Sequence, residues 1–326
     1  MFLLRSMYIL ELNKKNLGLS IAEAVNTLKP KKYSIIDDYL IIEGFGLKKT
    51  IKKINLGLTK TIKQVILTSA TTNDLKIELT KTNLSKHYKK DFKVECQGFG
   101  KDNDVITKTL GSIIFKQLNK PKVNINNPTT LFSCIKTKKR IFFTILLWKN
   151  NDDVRDRKNK ELPERMPTTL NPEIAKAMIN LSGKRKGKLI DPFCGAGGIL
   201  IEAARFGFNV TGYDIDKRAI GKAKLNLLHL GMKNIHLERR DALTINKKYD
   251  CIITDLPFGK NSKISKEIDN LYVEFLTKAL KYTKKIVVGF PGTFNRDLIP
   301  KQWKVIDFFE LYVHKSMSKI ICVLKK

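Results

Sequence analysis

The sequence has few of the residues that build disulfide frameworks and metal sites. It contains five cysteines and four histidines, and neither set shows a C-x-x-C pair or another ligand spacing. An odd number of dispersed cysteines in a long chain indicates neither a disulfide framework nor a zinc site. We therefore expect reduced cysteines and no bound metal.

Long hydrophobic runs are also missing. The longest, Ile141 to Trp148, is shorter than the ~20 residues that span a bilayer, and it is typical of a core strand. The N-terminal segment is interrupted by Arg5 and lacks a small-residue cleavage site, so it is not typical of a signal peptide. We expect a cytoplasmic protein with no membrane partner.

Acidic residues are scarce relative to basic ones. The chain has 31 Asp and Glu against 62 Lys and Arg, which gives a formal charge of +31. Heat adaptation does not explain the excess, because it usually raises Glu together with Lys. The charge predicts a nucleic acid partner, bound through release of counterions from its phosphates. An anionic membrane surface is the alternative.

The length of the chain and the change in composition along it predict two domains. Single domains cluster around ~100 to 150 residues, and this chain has 326. The segment 151–166 is polar, charged and punctuated by proline, which is typical of a linker. We therefore predict an N-terminal region at 1–150, a linker at 151–166 and a second domain at 167–326.

The N-terminal region shows strand patterns with few helices, which is typical of an α+β fold. Ser20 and Glu23 form a capping-box pattern that predicts the start of a helix reaching Leu28. A second helix is predicted over Val105–Leu118. The other apolar segments are predicted strands: Tyr8–Leu12, Tyr33–Ile36, Leu40–Glu43, Val65–Thr68, Leu75–Leu79, Phe92–Cys96, Leu131–Cys134 and Ile141–Trp148.

In the second half, short apolar runs alternate with helical segments. Asn171 and Pro172 predict the start of a helix that reaches Leu181. The predicted strands are Leu189–Asp191, Asn209–Tyr213, Ile235–Leu237, Cys251–Thr254, Ile286–Phe290, Val305–Phe309 and Ile320–Val323. This alternation predicts an α/β domain with a mostly parallel, doubly wound sheet.

A glycine-rich turn follows the first strand of this domain. The turn reads DPFCGAGG over residues 191–198, and an apolar helix begins after it. Glycines allow positive φ and a close approach of a ligand to the backbone. Asp214 ends the next strand, where an acid can accept hydrogen bonds from ribose hydroxyls. Because G-x-G-x-x-G and a phosphate-binding lysine are both absent, an adenosine without a pyrophosphate is favoured over a dinucleotide.

The form D-P-F-C-G-x-G-G, with the later acid of G-Y-D-I-D, resembles the S-adenosylmethionine site of class I methyltransferases. The resemblance implies a Rossmann-like sheet with S-adenosylmethionine as cofactor. It implies that the Gly195 and Gly197 backbone meets the methionine part of the cofactor, close to Asp191. It also implies that Asp214 holds the ribose and that Asp241 reaches the adenine amino group. The whole implied set is Asp191, Pro192, Phe193, Gly195, Gly197, Asp214, Ile215, Asp241 and Ala242. Helix or turn capping by Asp214 and Asp241 is the alternative.

The candidate catalytic segment is Asp255-Leu256-Pro257-Phe258, after the fourth strand of the domain. Ligands of open α/β sheets bind beyond the carboxyl ends of the strands. The exocyclic amine of a base is a poor nucleophile because its lone pair is delocalised into the ring. The Asp255 carboxylate and the Leu256 carbonyl can accept its two N–H bonds and aim the lone pair at the methyl group, while Phe258 stacks on the base. A plain turn is the alternative.

This tetrapeptide resembles the [D/N/S]-[P/I/L]-P-[Y/F] motif of amino-group methyltransferases that act on nucleic acids or on a protein glutamine. No cysteine follows the proline, which argues against methylation of pyrimidine C5 through a thiolate adduct.

The motifs together are similar to those of the archaeal tRNA guanosine-10 N2-methyltransferases. They comprise PTTLNPEIA from Pro167, DPFCGAGGILIEA, GYDID, DAL and TDLPFG, and they cover the C-terminal half. The resemblance implies methyl transfer to guanine N2 of tRNA, by a chain we expect to be a monomer. It implies a ferredoxin-like piece and a THUMP domain in residues 1–150. Leu256 and Phe258 replace the commoner Pro and Tyr, and we expect activity to be retained.

Several other functions stay open on the sequence. The methylated base can be a guanosine at another tRNA position or in ribosomal RNA, or an adenine in DNA. A THUMP protein with thiolation or pseudouridine chemistry is disfavoured, since the ATP loop and paired cysteines expected for thiolation are absent. A non-catalytic RNA-binding protein with a vestigial pocket is the last alternative.

Overall fold

The computed structural model describes residues 6–44, 51–158, 161–166, 169–233, 235–258, 264–314 and 317–326. Pro167, Thr168 and Gly259 of the motifs above, and Arg5, lie outside these residues. The chain forms two compact units. The first comprises residues 1–17, 28–54 and 59–151, and the second comprises residues 18–27, 55–58 and 152–326.

The first unit is built on a seven-stranded mixed sheet. Its strands are β1 (Met7–Leu12), β2 (Lys32–Ile36), β3 (Tyr39–Glu43), β4 (Thr59–Ser69), β5 (Phe92–Gln97), β6 (Thr130–Lys136) and β7 (Ile141–Lys149), in the order β2-β3-β1-β4-β7-β6-β5. The helices of this part of the chain are α1 (Leu17–Leu28), α2 (Thr72–Lys81) and α3 (Asn103–Gln117), of which α1 lies mostly in the second unit. The strands predicted at Tyr33–Ile36 and Leu40–Glu43 are confirmed as β2 and β3, which pair antiparallel, and the helix predicted at Val105–Leu118 is confirmed as α3.

The strand predicted at Leu75–Leu79 is wrong, because these residues belong to helix α2. Leu75 and Leu79 are both fully buried, four residues apart on one face of the helix. Ile77 between them is 55% exposed. The Thr71 hydroxyl accepts a hydrogen bond from the Asp74 amide and caps the helix.

The capping box predicted at Ser20 and Glu23 is also wrong. Helix α1 begins at Leu17, so Ser20 lies inside it. Glu23 is fully buried, and its carboxylate accepts hydrogen bonds from the amides of Gly57 at 2.6 Å and Leu58 at 2.8 Å. A third bond comes from Asn180 Nδ2 at 2.7 Å. This acid therefore fixes other parts of the second unit and does not cap its own helix.

The second unit is the predicted, mostly parallel α/β sheet. Its strands are β8 (Lys188–Asp191), β9 (Asn209–Asp214), β10 (His236–Arg239), β11 (Cys251–Asp255), β12 (Lys285–Pro291), β13 (Lys304–His314) and β14 (Met317–Lys325), in the order β10-β9-β8-β11-β12-β14-β13. Its later helices are α4 (Pro172–Leu181), α5 (Gly198–Arg205), α6 (Lys217–His229) and α7 (Ile264–Ala279). Strands β8 to β12 pair in parallel, and β14 pairs antiparallel with β12 and β13.

The central strands are apolar on both faces because both faces are covered. Ile253 and Val287 lie in one buried cluster, whereas Ile252 and Val288 lie in another. The first cluster includes residues of α4 and α5, and the second includes residues of α7. This arrangement explains why the strands of this sheet are continuous apolar runs in the sequence.

The segment predicted as a linker packs on the second unit. Arg157 is buried, and its guanidinium bonds to Glu202 at 2.6 Å and to Asp152 at 2.8 Å. Lys176 also contacts Asp152, at 2.7 Å. These contacts tie the segment to α5 and α4, so its described residues form part of a folded unit.

Candidate active site

Three aspartates meet at one edge of the second sheet. Asp191, Asp214 and Asp255 end β8, β9 and β11, which are neighbouring parallel strands, so their carboxyl ends coincide. All three line a cavity of about 350 Å³. Four aspartates and no lysine or arginine are found among the described residues that line it. In a chain with twice as many basic as acidic residues, this composition indicates a site for a cationic ligand.

The glycine-rich turn places backbone without a side chain at the cavity. Gly195 has φ +53° and lines the cavity, whereas Gly197 has φ +89° and forms the N-terminal cap of α5. The Gly195 amide donates to Asp214 Oδ2 at 2.9 Å, and the Asp216 amide donates to Asp214 Oδ1 at 2.9 Å. Since a carboxylate oxygen can accept two bonds, Asp214 keeps lone pairs for ribose hydroxyls.

Asp191 is buried at the base of this turn. Its Oδ1 accepts hydrogen bonds from the Thr254 hydroxyl at 2.6 Å and from the Phe193 amide at 3.2 Å. Burial, with the nearby charges of Asp255 and Asp214, raises the pKa of Asp191 to about 8. A cation placed here would favour the ionised carboxylate, so the site stabilises positive charge.

Asp255 is held by a basic residue from another strand. Its Oδ2 accepts from Lys319 Nζ on β14 at 2.5 Å, and the two side chains are 15% and 8% exposed. Burial raises the pKa of Asp255 above its ordinary value, and the Lys319 ammonium opposes that rise. The other oxygen, Oδ1, is buried and has no hydrogen-bond partner among the described residues.

The residues after Asp255 are fixed by their neighbours. The Leu256 amide donates to the Gly289 carbonyl at 2.9 Å, and the Tyr272 hydroxyl donates to the Pro257 carbonyl at 2.5 Å. Phe258 lines the cavity with Leu256 and Pro257. The segment is therefore anchored to β12 and α7.

Four of the predicted cofactor residues do not line this cavity within the described chain: Pro192, Gly197, Asp241 and Ala242. Asp241 Oδ1 accepts from the Leu243 amide at 2.8 Å and caps the short 3-10 turn at Ala242–Thr244. The capping alternative therefore describes what this side chain does in the structure. Its contact with adenine stays a prediction.

Several residues of the site carried no signal in the sequence, namely Gly289, Tyr272 and Lys319, and Thr254 appeared only in the TDLPFG motif of the family resemblance. Thr169, Leu170 and Ile199 also line the cavity, although they lie in motifs that served only for the family resemblance. Gly289 is required by space, because a Cβ there would lie 2.2 Å from Asp255 Oδ1. These contacts come from neighbouring elements of the fold, which a motif does not contain.

The residues present fit S-adenosylmethionine. The cofactor carries a sulfonium and an ammonium group, and the cavity supplies carboxylates and the open backbone at Gly195. Asp214 has lone pairs to spare for a ribose. None of the helices in the described part of the chain has the length and apolarity of a membrane span. Within the same part of the chain, no three His, Cys, Asp or Glu side chains are arranged so that they could hold a metal ion.

Comparisons with known proteins point to methyltransferases. Residues 160–295 match the RMKL-like methyltransferase domain family, and residues 13–225 match a DNA methylase family. The chain is 30% identical over 311 residues to the tRNA (guanine(10)-N2)-dimethyltransferase of Methanothermobacter thermautotrophicus, covering 90% of this chain and 91% of the relative. It is 29% identical to the Pyrococcus abyssi enzyme of the same name, over 68% of each chain.

Solved structures share the fold. TrmN from Thermus thermophilus superposes with a TM-score of 0.58 at 18% identity, covering 98% of this chain and 100% of that one. SMU.472, solved in complex with SAH, superposes with a TM-score of 0.54 at 15% identity over 98% of each chain.

Proposed function

The chain belongs to the family of archaeal tRNA (guanine(10)-N2)-dimethyltransferases, and on that basis we propose that it methylates the N2 amino group of a tRNA guanosine, at position 10. S-adenosylmethionine supplies the methyl group as an electrophile on a positively charged sulfur. The relatives' names support two successive transfers to the same nitrogen. A cytoplasmic, monomeric enzyme is part of the proposal.

The observation that carries the proposal is the state of Asp255 at the cavity. This carboxylate has one oxygen fixed by Lys319 and the other, Oδ1, without a partner among the described residues. A buried carboxylate oxygen without a partner is costly, so such a group indicates a ligand that donates to it. A guanine amino group is such a donor, and Asp255 lies on the same cavity as Asp191 and Asp214.

In this mechanism Asp255 and Leu256 orient the amine. Asp255 Oδ1 and the Leu256 carbonyl accept its N–H bonds and turn its lone pair toward the methyl group, and Phe258 stacks on the base. The C–N bond forms as the S–CH3 bond breaks, and the sulfur keeps the electron pair. The nitrogen loses one proton per transfer, and Asp255 is placed to receive it.

Residues 1–150 are proposed to bind the tRNA as a ferredoxin-like piece and a THUMP domain, with 167–326 as the catalytic domain. The formal charge of +31 supports a polyanionic substrate. The cofactor residues whose roles are supported by their place on the cavity are Asp191, Phe193, Gly195, Asp214 and Ile215. Roles for Pro192, Gly197, Asp241 and Ala242 rest on the family resemblance alone.

The test is methyl transfer to an unmodified tRNA transcript, read by mass spectrometry of its nucleosides. We expect N2-methylguanosine and then N2,N2-dimethylguanosine in the wild type, and at least ~100-fold slower transfer in Asp255→Ala. A transcript with adenosine in place of the guanosine at position 10 should stay unlabelled. Full activity of Asp255→Ala would contradict the mechanism, and N2-methylguanosine formed in the transcript with adenosine at position 10 would contradict the position.

Adenine methylation in DNA is the second candidate. The DNA methylase family match supports it, as does 39% identity over 104 residues to the type II methyltransferase M.VspI. The full-length similarity to the tRNA enzymes outweighs a relative matched over 29% of this chain. Incubation with duplex DNA and labelled cofactor decides between them, and N6-methyladenine in the digest would replace the proposal.

A further inference from the structure

Among the described residues, Lys319 is a basic side chain in direct contact with the proposed catalytic segment. It lies on β14, opposite Pro291 of β12 in the antiparallel register, and is buried. Its ammonium bonds to Asp255 Oδ2 at 2.5 Å and lies 5.0 Å from the centroid of the Phe258 ring. One side chain therefore contacts both ends of the Asp255–Phe258 segment.

The groups around Asp255 make this contact important. Asp191 on β8 is a second buried acid, Tyr272 on α7 is neutral, and Gly289 on β12 has no side chain, so none of them supplies a positive charge. Lys319 is thus the one cation that faces Asp255 within the described chain. Without it, a buried acid next to Asp191 would favour the protonated form.

A protonated Asp255 cannot do the proposed work. Protonation makes one oxygen a donor, and the carboxyl group loses the charge that attracts the N–H bonds of the substrate amine. Free rotation of the carboxyl group would also move Oδ1 away from its place over Gly289. Both requirements, charge and orientation, depend on what binds Oδ2.

We propose that Lys319 is a positioning residue for the transfer: its ammonium keeps Asp255 ionised and fixes Oδ2, which leaves Oδ1 for the substrate amine. This inference rests on the proposed function. It gives a role to a residue 64 positions after Asp255 that no motif includes. Lys319 acts through Asp255 and does not itself meet the methyl group.

The experiment compares four variants. Lys319→Met keeps the length of the side chain and removes the charge, Lys319→Gln keeps a donor without charge, and Lys319→Arg keeps the charge. Lys325→Met is the matched control, because Lys325 lies on the same strand but is exposed. Initial rates on the tRNA transcript give kcat and KM across pH, and calorimetry with S-adenosylhomocysteine reports the cofactor site.

We expect kcat of Lys319→Met and Lys319→Gln to fall by about 100-fold, because a catalytic group that is misplaced by ~1 Å costs about that much in rate and Asp255 is no longer held in place. Cofactor binding should be unchanged. The acidic limb of their pH–rate profiles should move to higher pH. Lys319→Arg should recover most of the rate and the wild-type limb, and Lys325→Met should match the wild type. Wild-type kcat and an unmoved limb in Lys319→Gln would overturn the proposal, even if Lys319→Met fails to fold.

A titration without turnover separates this inference from the proposed function. The carboxyl 13C signal of Asp255, assigned by its loss in Asp255→Asn, should titrate at higher pH in Lys319→Gln than in the wild type. Equal titration in both proteins would refute the role of Lys319, whether or not the wild type methylates tRNA. An inactive wild type with the expected titration would refute the proposed function alone.

Discussion

Replacing Gly289 by alanine tests the position of Asp255 without touching its charge. Gly289 lies on β12 beside Asp255 in the parallel register. A Cβ at this position would lie 2.2 Å from Asp255 Oδ1 and 3.2 Å from Cγ. Ordinary contact with a Cβ begins at 3.4 Å, so Oδ1 must move by about 1 Å.

The size of the effect follows from that displacement. Misplacing a catalytic group by ~1 Å can cost about 100-fold in rate, which corresponds to about 2.7 kcal/mol of transition-state stabilisation. Stability should change little, because the end of a side chain gives way and alanine is no worse than glycine in a strand. We expect the free energy of unfolding to stay within about 1 kcal/mol of the wild type.

The assay is the initial rate of methyl transfer to tRNA, with denaturant unfolding and S-adenosylhomocysteine binding measured in parallel. Gly221→Ala is the matched control, because Gly221 lies in α6 and a Cβ there meets nothing within 4 Å. This control should keep full activity and gain up to about 1 kcal/mol in stability. A Gly289→Ala protein that folds and transfers methyl at the wild-type rate would refute the assignment of Oδ1 as acceptor.

Three further predictions concern other parts of the molecule. Arg157→Met should lower the free energy of unfolding by about 3 to 5 kcal/mol, because it leaves Glu202 buried without its partner. Arg155→Met is the control and should have no measurable effect, because the Arg155 side chain is 81% exposed. Equal losses of stability in the two variants would argue against the importance of the buried pair. The raised pKa of Asp191 means that the native state binds the extra proton, so the contribution of Asp191 to stability should fall as pH rises between the ordinary value of 3.8 and about 8. Between about pH 5 and pH 7, this contribution should lower the free energy of unfolding of the wild type by about 2 to 3 kcal/mol relative to that of Asp191→Asn. Denaturant titrations that give parallel curves of stability against pH for the two proteins would contradict this prediction. The affinity for tRNA should fall steeply as the salt concentration rises. The logarithm of the binding constant should fall with the logarithm of the salt concentration, with a slope of about −0.9 for each neutralised phosphate. An affinity that does not change with salt in filter binding would contradict the electrostatic argument.

The fold of the second unit was predictable because its central strands are buried on both faces and therefore form continuous apolar runs. The edge strands β10 and β13 are more exposed, and shorter apolar runs predicted them as well. The family assignment drawn from those motifs is confirmed. Leu75–Leu79 was not predictable in the same way, because Leu75, Ile77 and Leu79 fit a two-residue period while Leu75 and Leu79 also fit a helical one.

The site was only partly predictable from the sequence. Asp191, Asp214 and Asp255 could be placed together because each ends a neighbouring parallel strand. Gly289 and Lys319 could not, since their contacts with Asp255 depend on how β12 and β14 pair. A single lysine among 62 basic residues carries no signal of its own. Supporting residues of this kind can be identified only when the pairing of the strands is known.

The distribution of charge separates the two proposed ligands. A chain of net charge +31 attracts RNA phosphates, yet the cavity is lined by four aspartates and, among its described residues, no basic side chain. Phosphates are therefore repelled from the place where a sulfonium cofactor is favoured. A neutral base does not meet that penalty when it approaches Asp255. Lys319 sits behind the carboxylate and outside the residues that line the cavity, so it supports Asp255 without offering the pocket a phosphate site.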